Sequence, residues 1–188
     1  MKSVNKWVID PAHSEIYFKV KHLVIATVTG SFDKFEGSLE TASDDFSNAS
    51  IRFSADVNSI NTNMSDRDNH LKSPDFFDAI NHPAIDFRSN GFKKLSDSEY
   101  KLTGDITIRG ITREIVLDVE FGGIMNDPWG NVKAGFELTG KLNRKDFGLN
   151  WNAVTEAGGI VVSDEVKLQM SIEFVKQYAE KYENAHSS

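Results

Sequence analysis

The sequence of 188 residues contains no cysteine, which excludes disulfide bonds, thiolate metal ligands and a cysteine nucleophile. No stretch approaches the ~20 apolar residues that a transmembrane helix needs. The net charge is −7, so basic residues are in deficit, which argues against nucleic acid or an anionic membrane surface as the main partner. The hydrophobic fraction of 39% is typical of a globular protein, and the length indicates a single domain over residues 1–188.

The N-terminal residues 1–6 are polar, and no apolar run of a secretory signal follows them. The sequence therefore predicts a cytoplasmic protein. A periplasmic protein from which the signal had been trimmed would have the same sequence.

Apolar and polar residues alternate along most of the chain, which predicts strands with one buried face. Leu102 and Ile106 share one face, whereas Lys101, Thr103 and Asp105 lie on the other. The same alternation occurs in 15–22, 51–57, 115–121, 133–142 and 166–174, with further candidates in 28–39 and 84–92. No long helical pattern separates these segments, so we expect about eight antiparallel strands in an all-β up-and-down barrel.

Three short helices are predicted around the strands. Ser65 can cap a turn of helix over 66–72, and Ser73 with Pro74 can begin a second turn before His82. After the last strand, Val175, Tyr178, Ala179 and Tyr182 recur at helical spacing. This terminal helix needs a surface to pack on, which is either its own barrel or a second subunit.

The inward positions of the expected strands, with Thr62 and with Phe76 and Phe77 of the second predicted turn, form one candidate set of pore-lining residues. An eight-stranded barrel has room inside for side chains or for one small ligand. The set includes many of the 13 phenylalanines, which can form either a solid aromatic core or an apolar tunnel. Its members are Phe18, Val20, His22, Phe32, Leu39, Phe53, Val57, Thr62, Phe76, Phe77, Phe87, Leu102, Ile106, Phe136, Leu138 and Leu142.

The sequence lacks the common motifs of nucleotide binding, of zinc proteases and of serine hydrolases. The spacing of His13, His22, His70 and His82 matches no metal motif, so no metal site and no cofactor are predicted. Asp10, His13 and Ser14 are the residue types of a catalytic triad, but they lie in one short turn, where Asp and Ser commonly bond their own backbone. No catalytic residue is predicted.

Several motifs in a fixed order resemble the YceI-like family of polyisoprenoid-binding, lipocalin-like barrel proteins, and together they cover nearly the whole chain. They are WVIDPAHSEIYFKVKH at 7–22, VTGSF at 28–32, FEG at 35–37, SINT at 59–62, RDNHLKSPDFF at 67–77, HPAIDFRS at 82–89, GDITIRGIT at 104–112 and NRKDFG at 143–148. The resemblance implies an extended barrel around a long apolar pore. It also implies a long-chain isoprenoid ligand, such as a polyprenyl phosphate or a quinone tail, or a similar lipid.

Arg67 and His70 are possible contacts for a ligand head group, although a structural role is the alternative for both. Asp68 would then cap the helix and Arg67 would pair with a carboxylate; Arg109 and Arg144 leave the same two choices open.

Two further hypotheses stay open beside lipid binding. One is an enzyme that acts on a small amphiphile or an isoprenoid with a histidine acid or base, and the other is a structural or stress protein with a solid core. The terminal helix and the resemblance together favour a homodimer.

Overall fold

The computed structural model describes residues 4–42, 45–153 and 161–178. Most of these residues lie in strands, and no helix among them has the length and hydropathy of a membrane span. The strands are β1 (Asn5–Ile9), β2 (Glu15–His22), β3 (Ala26–Phe32), β4 (Phe35–Thr41), β5 (Ser50–Asp56), β6 (Ile60–Asn61), β7 (Ala84–Lys94), β8 (Glu99–Ile108), β9 (Ile111–Asn126), β10 (Val132–Asn143) and β11 (Val162–Gln177). The helix α1 spans Ser65–Lys72, and short 3-10 helices span Pro11–His13, Val57–Ser59 and Arg144–Phe147.

Eight strands form a closed antiparallel ring in the order β1, β4, β5, β7, β8, β9, β10 and β11, because β11 pairs back onto β1. The strands β2, β3 and β6 continue the sheet beside the other half of β11. Thus β1 with β2, β3 with β4, and β5 with β6 each act as one interrupted strand, and spatial neighbours follow chain order. The prediction of an all-β, eight-stranded up-and-down barrel is confirmed.

The two ends of the barrel differ. The helix end carries α1, the β2–β3 turn at residues 23–25 and the β8–β9 turn at Arg109 and Gly110. Here β6 ends the sheet, and the segment 62–83, which includes α1, lies between β6 and β7. The aromatic end carries the segment between β4 and β5, with Phe46, and the β9–β10 turn.

The register of the strands follows the alternation of the sequence. Leu102 and Ile106 are buried inside the barrel, whereas Lys101 is exposed outside it. Phe18 lies opposite Gly30 in the β2–β3 pair, and a Cβ atom at residue 30 would overlap the Phe18 ring. The glycine therefore gives this inward ring its space.

Aromatic rings fill the barrel at the aromatic end. Phe46, from outside the strands, contacts Trp7, Phe121 and Phe136 with ring centroids 5.2 to 5.4 Å apart. The buried Tyr100 hydroxyl donates a hydrogen bond to the carbonyl oxygen of Asp45, which ties the same segment to β8. The interior is solid here, as the solid-core hypothesis expects for the whole barrel.

Two of the helix predictions need correction in their details. The first helix forms, but Ser65 is its first residue, and the preceding Met64 makes no side-chain cap. The second does not form: residues 73–78 make a turn in which the Ser73 carbonyl accepts hydrogen bonds from the amides of Phe76 and Asp78.

The predicted terminal helix does not begin at Val175. The strand β11 continues to Gln177, because β1 offers it a partner in the pairs from Ile9 with Phe174 to Lys6 with Gln177. Ala179 and Tyr182 lie outside the described residues. The homodimer expected from this helix stays a prediction.

Candidate functional site: an apolar cavity at the helix end

The interior of the barrel holds an apolar cavity of about 210 Å³. All the predicted pore residues line it except His22, Val57 and Thr62. It also has lining residues that the predicted set lacks, among them Ile16, Leu71, Leu149, Val166, Leu168 and Met170. The alternation of the strands could have supplied Ile16, Val166, Leu168 and Met170, whereas Leu71 and Leu149 come from segments without a strand pattern.

The open space lies toward the helix end. On β10, the inward side chain of Phe136 is buried, but those of Leu138 and Leu142 are half-buried. On β11, Ile172 is buried and Leu168 is half-buried, so the change occurs at a similar level on the neighbouring strand. Because these side chains face the interior, their exposed surface borders the cavity. The barrel is therefore filled at one end and open inside at the other.

His22, Val57 and Thr62 do not line the cavity. His22 is the last residue of β2, beside the turn and beyond the level of the lining residue Val20. Val57 is buried, but β5 ends at Asp56 and Val57 is the first residue of a 3-10 helix. Its side chain therefore does not follow the inward–outward alternation of the strand. Their role in ligand binding stays a prediction.

Thr62 anchors α1 to the barrel. Its amide and its hydroxyl donate hydrogen bonds of 2.9 and 2.5 Å to the Asp68 carboxylate. Arg67 donates through Nε to the Thr62 hydroxyl at 2.8 Å and through an Nη atom to its carbonyl at 2.7 Å. Arg67 therefore binds Thr62 and not the carboxylate that the structural alternative expected. Since Thr62 is buried, this network fixes the helix at the barrel rim.

His70 lies at the edge of the cavity but not in its wall. Its Nε2 atom is 2.8 Å from the Asp75 carboxylate, and its ring meets those of Phe76 and Trp151 edge to face. Phe76 itself lines the cavity. The side chains of both predicted head-group contacts are half-buried, but the donors of Arg67 are held by Thr62.

Arg144 is a buried cation beside the cavity, only 3% exposed. Its guanidinium donates hydrogen bonds to the carbonyl oxygens of Ser163, Leu149, Trp151 and Val162 at 2.6 to 3.2 Å. Burial lowers the pKa of the Arg144 guanidinium from its usual value, and Asp164 at 3.8 Å opposes this shift. Because its guanidinium N–H groups bond to backbone carbonyl oxygens on both sides, Arg144 joins the end of β10 to the start of β11.

Arg109 has a similar structural role outside the barrel. Its guanidinium donates a 2.6 Å hydrogen bond to the carbonyl oxygen of Phe76. This bond connects the β8–β9 turn to the segment that covers the helix end.

The residues of the possible triad do not form one. His13 Nδ1 is 2.7 Å from the Asp10 carboxylate, but the Ser14 hydroxyl accepts from the Glu173 amide at 2.9 Å. Asp10, His13 and Glu173 offer three ligand atoms close enough to share a cation. The Lys133 ammonium already lies 2.9 Å from Glu173 and 3.4 Å from Asp10. It therefore supplies the positive charge that these carboxylates would otherwise draw from a cation.

These contacts shift two pKa values in the directions expected of ion pairs. The hydrogen bond from His13, with those from Ala12 and Lys133, holds the pKa of Asp10 below its usual range. The hydrogen bond to Glu173 and the charge of Asp10 raise the pKa of Lys133.

Comparison with known proteins shows which family this chain belongs to. The YceI-like domain family matches residues 7–174. The chain belongs to the YceI-like family. The UPF0312 protein of Staphylococcus aureus strain MSSA476 is 40% identical over 172 residues, which cover 91% of this chain and 98% of that protein.

Solved structures of other proteins have the same fold. The YceI protein of Campylobacter jejuni is 32% identical, with a TM-score of 0.72 over 84% of this chain and 90% of that one. A polyisoprenoid binding domain from Saccharophagus degradans is 14% identical, with a TM-score of 0.62 over 91% of this chain and 98% of that one. At this identity the second likeness concerns the fold alone.

Proposed function

We propose that this YceI-like barrel binds a long-chain isoprenoid, such as a polyprenyl phosphate or a quinone-like tail, or a similar lipid. The observation that carries the proposal is the change along β10 and β11 from buried to half-buried inward side chains. Covering apolar surface that faces an open interior with a hydrocarbon lowers the free energy, so such surface favours binding of an apolar ligand.

The size and chemistry of the cavity support an apolar ligand. A cavity of ~150 Å³ lined by Leu, Ile and Phe in another protein stays dry and binds benzene. The cavity here measures about 210 Å³ and its wall is hydrocarbon, so it takes a larger apolar group.

The family and the structural neighbours support the same ligand class. The domain from Saccharophagus degradans is described as polyisoprenoid binding, and it shares the barrel fold. We propose that the tail of the ligand points toward Phe136 and that a polar head stays near His70. Arg67 is the weaker candidate for a head-group contact because Thr62 accepts its hydrogen bonds.

Extraction of the purified protein with organic solvent, followed by mass spectrometry, tests the proposal. We expect a prenyl lipid or a related long-chain molecule at up to one per chain. In a second step, the delipidated protein is titrated with prenyl alcohols of increasing length. Clean extracts together with no binding of any prenyl alcohol would refute the proposal.

The geometry gives the enzyme hypothesis less support than lipid binding. That hypothesis needs a histidine that faces the cavity and that a carboxylate orients. Of the histidines in the described ranges, His13 and His70 have carboxylate partners, and none lines the cavity. The cytoplasmic location and the lack of a nucleic-acid partner stay predictions.

A further inference from the structure

The helix end exposes an aliphatic turn. Leu23, Val24 and Ile25 follow one another between β2 and β3, and the exposed fractions of Val24 and Ile25 are 75% and 87%. Consecutive exposed apolar residues are unfavourable in water and are usually kept for an interaction.

The backbone of this turn adds to the cost. Leu23 has a φ of 52° and Val24 has a φ of 65°, in the left-handed region. A β-branched residue is rare there, whereas asparagine or glycine adopts this conformation readily. The turn therefore carries aliphatic side chains at positions where the local backbone favours other residues.

Three lysines form a row on the outer face beside this turn. Lys167 on β11 lies directly opposite Lys19 on β2 and directly opposite Lys141 on β10. Adjacent strands are ~4.8 Å apart, and like charges directly opposite each other are destabilising. Among the described residues, no acidic group lies within ion-pair distance of this lysine row.

The charges around the row leave it positive. Lys21, which is exposed, lies two residues beyond the half-buried Lys19 on β2. The acidic residue nearest along β11 on the same face is Glu165, two positions from Lys167. Asp164 forms an ion pair with Lys145 at 3.3 Å. The net charge of −7 is thus an average over a surface with a basic region at the helix end.

A complementary row of glutamates lies nearer the aromatic end. Glu120 on β9 is directly opposite Glu99 on β8 and Glu137 on β10, and all three are exposed. On β10 the glutamate row and the lysine row are four residues apart. An anionic surface therefore attracts the helix end and repels the region around the glutamate row.

The turn, the lysine row and the cavity meet on one strand. The outward side chains of β2 include Lys19, its inward side chains Phe18 and Val20 line the cavity, and its end leads into the turn. We propose that the aliphatic turn and the lysine row dock the barrel on an anionic phospholipid bilayer, with the turn inserted among the lipids. The inference rests on the proposed function for its purpose, which is the exchange of an apolar ligand with a bilayer.

Another exposed apolar region, at the aromatic end, lacks the other features. In the β9–β10 hairpin, Met125 and Trp129 are exposed, with Trp129 at 83%. The nearby Lys133 is shared by Asp10, Asp127 and Glu173, and the interior at this end is filled with aromatic rings. This hairpin is therefore the matched control for the turn.

Co-sedimentation with phosphatidylcholine vesicles, with and without phosphatidylglycerol, tests the inference on the full chain. We expect binding only to the vesicles that contain phosphatidylglycerol, and we expect it to weaken as salt screens the charges. Lys19→Glu with Lys167→Glu should lower the partition coefficient about tenfold or more, since each basic residue near such a surface contributes severalfold. Val24→Asn with Ile25→Ser should also lower it, without a fall in melting temperature, because asparagine accepts the left-handed backbone.

The control Met125→Ser with Trp129→Ser should bind the vesicles as the parent does. Equal binding of the parent to neutral and anionic vesicles, or unchanged binding of both variants of the helix end, would overturn the inference. A different outcome would also overturn it: neither the parent nor the lysine variant binds vesicles, and light scattering shows a dimeric parent but a monomeric lysine variant. A second copy of the chain would then cover the lysine row. Lipid extraction and prenyl-alcohol titration of every variant separate the two proposals. Lipid in the cavity without vesicle binding refutes only the docking. Vesicle binding with clean extracts and with no binding of any prenyl alcohol refutes only the ligand.

Discussion

The ring of Phe46 meets the ring of Phe136 edge to face, with centroids 5.4 Å apart and ring planes at 87°. Phe136 belongs to a barrel strand, whereas Phe46 comes from the segment between β4 and β5. This contact closes the interior at one end, because a ring from outside the sheet takes the place that a ligand would otherwise reach.

Phe46→Ala should therefore destabilise the barrel strongly. The substitution leaves a cavity among rings that are already buried, and such losses cost about 3–5 kcal/mol. Urea unfolding followed by circular dichroism measures the free energy of unfolding. Phe46→Leu, which keeps most of the volume, should cost clearly less. An alanine variant that loses under ~1 kcal/mol would show that the ring is not part of the core.

Leu138→Trp and Ala134→Trp separate the open half of the barrel from the filled half. Both residues lie on β10 on its inward face, but Leu138 borders the cavity and Ala134 is fully buried. At residue 138 the indole should displace the co-purified lipid at a nearly constant melting temperature. At residue 134 it should overpack the core and cost about 1–3 kcal/mol or more. Equal losses of stability in the two variants would contradict an open interior at the helix end.

Arg144→Met should weaken the junction between β10 and β11. The change removes the donors of four backbone carbonyl oxygens, and buried groups left without a partner cost about 1–3 kcal/mol each before relaxation. We expect a loss of at least ~2 kcal/mol in urea unfolding. Lys145→Met is the matched control: its exposed ammonium pairs with Asp164, as Arg144 does, and its loss should stay below ~1 kcal/mol.

Asp10→Asn should change the acid stability of the protein. The pKa of Asp10 is lowered in the folded state, so its ionised form stabilises the fold above the usual value of 3.8. That contribution is lost as the pH falls through the lowered pKa. The variant should be less stable than the parent by up to ~1 kcal/mol at pH 7, and the difference should shrink below pH 4.

Asparagine can still accept the Ala12 amide bond that Asp10 accepts at 3.1 Å, so this variant isolates the charge. Melting temperatures between pH 7 and pH 3 give the comparison, and Glu40→Gln, at an exposed position of β4, serves as the control. A difference that is constant over this pH range would show that Asp10 contributes no ionised interaction.

Much of the barrel could be predicted from the sequence because its determinants are local. The alternation of Lys101, Leu102 and Thr103 predicts which side of β8 faces inward, and the long strands repeat this pattern over many residues. The same alternation identified Leu138 and Leu142 as cavity residues. It could not show that the barrel is filled at Phe136 and open at Leu142, because that depends on a ring from a distant segment.

The errors have long-range causes. Val175 follows a helical spacing in the sequence, but β1 extends the strand by pairing with it through Val8. Val57 continues the alternation of β5, yet the Asp56 carboxylate accepts the Asn58 amide and turns the chain into a 3-10 helix. Nor could the spacing of Lys19, Lys141 and Lys167 have revealed a row, since their register is set by two separate strand pairings.

The break between β6 and β7 determines what sets the bore of the barrel. Toward the aromatic end, hydrogen bonds join every strand to the next, so strand number and stagger fix the circumference. At the helix end, part of the circumference is made of side chains from the segment 62–83, which include Leu71, Phe76 and Phe77. The lengths of these side chains, and not the count of strands, set the width there. Substitutions in this one segment should therefore change the width of the interior at the helix end without any change in the sheet.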